Sequence, residues 1–121
     1  MLIDGIEYKK AIIIDYPWVD YFFDKNKTWE MRTTQAKYRG KIAIIAKGTG
    51  TIVGVAEFND SLPRMTIKEL INNFDKHRVD YIKYPELEKW CFPWVIENAK
   101  RVKPIPYDTK SKRGAVIWVN I

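Results

Sequence analysis

Residues 27–32 read Lys27-Thr28-Trp29-Glu30-Met31-Arg32. Side chains alternate along a strand, so Trp29 and Met31 share one face and Thr28, Glu30 and Arg32 the other. The first face is apolar and belongs against a core, while the second carries one acid and one base. Residues 28–33 (TWEMRT) read as a half-buried strand, with Lys27 at the turn–strand junction beside the polar face. The chemistry of that face is open. Lys27 suits a phosphate or, if desolvated, base or nucleophile work at a lowered pKa. Glu30 suits accepting from the exocyclic amine of a base, pairing with Lys27 or Arg32, or moving a proton. Arg32 suits forking onto phosphate or stacking on a base plane. The bland alternative is a Glu30–Arg32 salt bridge at the sheet surface, worth ~0–1 kcal/mol.

Upstream, residues 9–15 (KKAIIID) form a short buried strand, and Pro17 suits the first turn of a helix running to about Asp24. Downstream, residues 41–46 (KIAIIA) and 51–58 (TIVGVAEF) are apolar on both faces and are joined by Lys47-Gly48-Thr49-Gly50. That is the pattern of a hairpin in a closed or covered sheet, with the glycines serving the turn. Thr66-Ile67-Lys68-Glu69 is a capping box opening a helix to about Lys76, with Ile67, Leu70, Ile71 and Phe74 on one face. Within 77–91, Pro85 starts a short helix through Trp90. A strand follows at 93–99 (PWVIENA), Pro104 and Pro106 mark an irregular crossing, and 114–120 (GAVIWVN) read as a last buried strand. The expected architecture is α+β, with five to six short strands in a barrel-like sheet and two or three flanking helices, all in a single domain over 1–121.

The chain has 121 residues, 46% hydrophobic and 30% charged, which suits one packed core and argues against wholesale disorder. A single cysteine, Cys91, excludes a disulfide framework, and with a single histidine, His77, a thiolate–imidazole zinc site is excluded as well. Neither metal nor cofactor is expected. No apolar run approaches the ~20 residues that span a bilayer. Residues 1–20 carry Asp4, Glu7, Asp15 and Asp20, unlike a signal peptide, so a cytoplasmic setting is expected. The net charge of +6 is uneven. Between 25 and 47 stand Lys25, Lys27, Arg32, Lys37, Arg39, Lys41 and Lys47 against Glu30 alone. Between 100 and 113 stand Lys100, Arg101, Lys103, Lys110, Lys112 and Arg113 against Asp108. Cations clustered in this way raise the local potential that attracts phosphates, although two solvated basic loops would look the same.

Three ordered segments carry a family resemblance. Lys27-Thr28-Trp29-Glu30-Met31-Arg32 resembles the GxKxxExR signature of the ASCH family, relatives of the PUA superfamily of RNA-associated domains. Tyr16-Pro17-Trp18 is similar to the family's proline–aromatic turn before the first helix, and Tyr38-Arg39-Gly40-Lys41-Ile42 to its RG-plus-strand segment. Residues 92–98 (FPWVIEN) and 101–106 (RVKPIP) resemble its closing segment, and GAVIWV at 114–119 takes the place of its glycine-led last strand. The similarity covers most of 9–120, least distinctly over 60–91. The signature's leading glycine is Lys25 here. Either that turn needs no positive φ, or Lys25 tolerates one at ~1 kcal/mol while adding a cation at the mouth of the site.

The resemblance implies a PUA-like pseudo-barrel with a cleft beside the first helix, RNA binding, and in some members action on nucleic acid or modified nucleosides. One branch removes an acetyl group from acetylated cytidine with a Lys, a Thr and a Glu. Lys27 matches that Lys, Glu30 stands where the Thr would be, and the third residue has no match. Another branch is linked to ribonuclease activity. Two functions follow as expectations. In a nucleic-acid module binding RNA or a modified nucleobase, Lys25, Lys27, Arg32, Arg39 and Lys47 contact the ligand. Trp18 and Trp94 hold a base, each stack worth ~1–3 kcal/mol. In a small hydrolase, Lys27 and Glu30 form the proton-transfer pair. An interaction domain with a vestigial cleft is the third reading. Core packing is the alternative for Trp94 and the expectation for Trp29 and Trp118. Trp90, Tyr81 and Tyr84 suit a lid or a surface patch. His77 suits an imidazolium at a helix C-terminus, and Cys91 a small buried hydrophobe.

Overall fold

The computed structural model describes residues 1–110 and 117–121. Leu2–Ile3 (β1) and Ile6–Glu7 (β2) form a small hairpin around Asp4-Gly5, both at positive φ. An Asp-Gly pair is suited to such a two-residue turn. The main sheet is built from Lys10–Ile14 (β3), Trp29–Arg32 (β4), Gly40–Ala46 (β5), Thr51–Ser61 (β6), Phe92–Pro106 (β7) and Trp118–Asn120 (β8). Its order is β4-β7-β6-β5-β3-β8, and it curls into a half-barrel. Every pairing is antiparallel except β3 with β5, where Ile14 stands beside Ala46. The helices are Trp18–Asp24 (α1), Ile67–Asn72 (α2) and Phe74–His77 (α3), followed by a 3-10 turn at Pro85–Lys89. The α+β barrel-like sheet with flanking helices is therefore as expected. Among the described residues no helix is long and apolar enough to cross a membrane.

The two-faced hydrophobicity of β5 follows from its central place. Ile42, Ile44 and Ala46 pack with Ile12, Ile14, Phe58, Ile96 and the α1 residues Val19 and Phe22. Ala43 and Ile45 face the other way, onto Ala11, Ile52, Val119 and the hairpin residues Ile3 and Tyr8. Helix α1 lies close to the sheet because β6 has Gly54 beneath it. A Cβ there would stand 2.4 Å from the Phe23 ring and 2.9 Å from the Lys100 carbonyl. A third cluster joins Trp29 and Met31 of β4 to Leu70, Val79, Tyr81 and Cys91.

Three expectations need correction. The helix from Thr66 keeps its capping box but breaks at Asn73, whose side-chain amide donates to the Glu69 carbonyl. Asparagine competes with the helical backbone in this manner. Only Leu70 of the expected apolar face is buried; Ile67, Ile71 and Phe74 are exposed. Pro104 and Pro106 do not end a strand, because β7 runs through both. Its pairing with β6 shifts register three times; Pro104 falls in the shift between Ile105 and Arg101, and Pro106 stands opposite Thr51 at the strand's end. Of the expected strand at 114–120, residues 118–120 form β8, and 114–116 lie outside the described residues, as do Lys112 and Arg113.

Candidate functional site

A cleft of about 310 Å³ opens between α1, the end of β4 and the segment after α3. Its floor is Glu30, Met31 and Arg32, one side carries Ile13, Asp15, Trp18 and Lys47, and the far wall is Val79, Tyr81, Leu87 and Trp90. The parallel pairing of β3 and β5 explains two of these residues. Asp15 and Lys47 each follow the last residue of one strand, so the shared register brings them together, with the Lys47 N–H donating to the Ile14 carbonyl. Their side chains stand 3.8 Å apart at an exposed rim.

Glu30 is the most constrained group on the floor, with its side chain 10% exposed. Its Oε2 accepts from Arg32 Nε at 3.2 Å and Nη2 at 2.8 Å. Its Oε1 lies 3.7 Å from Lys27 Nζ. Arg32 Nη2 also donates to the Ile13 carbonyl at 2.8 Å, which ties β4 across to β3. Arg32 thus turns its Nε–Nη2 edge to the carboxylate, with Nη1 on the far side of the guanidinium.

The expected site residues divide. Trp18, Glu30, Arg32 and Lys47 come together around the cleft. Lys27 does not line it. It is buried, and its ammonium donates to the carbonyls of Trp29, at 2.6 Å, and His77. Burial pushes Lys27 down to about 8, against the pull of Glu30. Lys25 is exposed over the Tyr21 ring, away from the cleft. Its φ is −131°, and the left-handed residue of that turn is Asn26, so no glycine is needed at 25. Arg39 is spent on the carbonyls of Ala36 and Tyr38 and lies over the Phe58 ring, also away from the cleft. Trp94 is in the core, stacked on Trp118 with its Nε1 donating to the Thr34 carbonyl. It reaches the site only from behind, its ring 5.3 Å from the Arg32 guanidinium.

Tyr81 and Trp90 form part of the cleft wall, linked by a 2.6 Å bond from the Tyr81 hydroxyl to the Trp90 carbonyl. Asp15, Val79 and Leu87 were not singled out by sequence. For Asp15 the signal was an acid directly after a buried apolar run, which gains meaning only once β3 is known to run parallel to β5. His77 is buried and neutral rather than an exposed imidazolium. Its Nδ1 accepts from the Val79 N–H, so Nε2 carries the proton and donates to the Leu70 carbonyl. Desolvation lowers it to about 4. Among the described residues no cluster of three or more His, Cys, Asp or Glu is placed to hold a metal ion.

No protein-family model and no curated protein sequence matches the chain. Solved structures do. The crystal structure of ASCH from Zymomonas mobilis superposes with a TM-score of 0.68 at 12% identity, covering 93% of this chain and 86% of that one. A point-mutant structure of the same protein gives 0.68 at 13% identity, covering 95% of this chain and 91% of that one. Superposition over nearly the whole length gives this chain the fold of those ASCH structures.

Proposed function

We propose that the chain is a nucleic-acid-associated module whose cleft receives one unpaired base of RNA, or a single nucleotide. The observation that carries this reading is the floor: a nearly buried Glu30 carboxylate held by Arg32, with Trp18 and Trp90 on the walls. A carboxylate in that position suits accepting from the exocyclic amine of a base. A volume of about 310 Å³ is at the small end for ligand pockets, the size of one base with its sugar rather than a duplex. Lys47 at the rim is placed for the phosphate. Exposed cations elsewhere, Lys25 and Arg39 among them, add the long-range attraction for a polyanion.

Fluorescence titration with a short single-stranded RNA tests this. Affinity falls steeply with salt. Trp18→Ala lowers it by ~1–3 kcal/mol, and Lys47→Ala reduces the salt slope by about one. Affinity that is flat in salt and indifferent to Trp18 refutes the reading. A hydrolytic alternative is favoured by one feature, the Glu30 Oε1, whose nearest cation, Lys27 Nζ, stands 3.7 Å away and which could take a proton. Turnover of acetylated cytidine or RNA, abolished by Glu30→Gln, would establish it.

A further inference from the structure

A buried ammonium is costly unless its donors are met. Lys27 has three, and they face three acceptors: the Trp29 carbonyl on β4, the His77 carbonyl at the end of α3, and Glu30 Oε1 at 3.7 Å. These acceptors belong to different parts of the cleft. Trp29 and Glu30 are on the strand that forms the floor. His77 begins the segment that carries Val79, Tyr81, Leu87 and Trp90 into the wall. His77 is itself fixed by bonds to Leu70 and Val79, so its carbonyl has a set direction. We propose that Lys27 is a positioning residue of the cleft, its ammonium clamping wall to floor and steadying the Glu30 carboxylate without touching the ligand. The proposal rests on the cleft being the ligand site.

A charge dependence follows. The charged and titratable groups around Lys27 are Glu30 and Arg32 from β4 and neutral His77 from α3; α1 offers the Phe22 ring, 5.3 Å from Nζ, while its Asp20 and Asp24 pair outward with Arg101. Deprotonated, the amine still has two N–H groups for the two carbonyls, but no charge for Glu30. The wall stays clamped and the carboxylate loses its restraint.

Carbon- and nitrogen-detected NMR of the wild-type protein from pH 6.5 to 10.5 tests this without any mutation. The Lys27 Nζ and Glu30 Cδ resonances are expected to move together with one midpoint near 8. Separate titrations, or no change below pH 10, overturn the proposal. Hydrogen exchange of Lys27→Met provides the second test. Amides of 78–90 are expected to exchange at least tenfold faster while β5 and β6 keep their protection. Uniform acceleration, or none, overturns the clamp. Cytidine monophosphate is the binding probe. Its failure to bind the wild-type protein would remove the ligand reading, while the NMR and exchange results decide the clamp on their own.

Discussion

Lys27 and Lys47 were both expected to meet a ligand, and burial sends them to opposite tasks. Lys47 extends from the end of β5 to the exposed rim, where its ammonium stands 3.8 Å from Asp15. Lys27 stands two residues before the start of β4, under the wall, and spends its donors on backbone carbonyls. Nothing in residue type separates them. His77 makes the same point for protonation. Its ring bonds require the neutral form, so the folded state resists a proton that the unfolded chain accepts below about 6.5. Stability from this group is complete above that value and is lost as pH falls toward about 4. Urea midpoints are expected to drop over that interval, with the His77 ring signals titrating only near 4. A ring that titrates near 6.5 in the folded protein would refute the neutral assignment.

Elements show where local pattern sufficed. The alternation of β4, the two-faced apolar runs of β5 and β6, and the Pro17 start of α1 were all legible, because each is written in neighbours one to four residues apart. The break at Asn73 and the run of β7 through two prolines were not. The first depends on a side chain outcompeting a helical bond, the second on register shifts against β6. The seat of α1 depends on Gly54, which reads in sequence as a weak point in a strand. Gly54→Ala is expected to cost about 1–3 kcal/mol by overpacking against Phe23 and the Lys100 carbonyl. Chemical denaturation measures it, and an unchanged midpoint would mean that α1 shifts freely.

At the scale of the molecule, one sheet serves two cores, and the second is closed by the β1–β2 hairpin. Ile3 is buried there against Ala11, Ala43, Ile45 and Val119. Ile3→Ala is expected to destabilise the whole domain by about 2–4 kcal/mol, as a core truncation does, rather than merely fray the terminus. Loss of only local protection, with the global unfolding midpoint kept, would contradict this.

By itself the sequence determined β3 to β6, the start of α1 and the identity of the Glu30–Arg32 floor, since these rest on periodicity and on side chains two residues apart. Tertiary structure alone decided which cations stay exposed and which are buried. It set Asp15 beside Lys47 through a parallel pairing, moved Trp94 behind Arg32, and brought the His77 carbonyl over Lys27 from fifty residues away. The physical reason is that a charge's task depends on its solvation and partners, and both are supplied by chain segments distant in sequence.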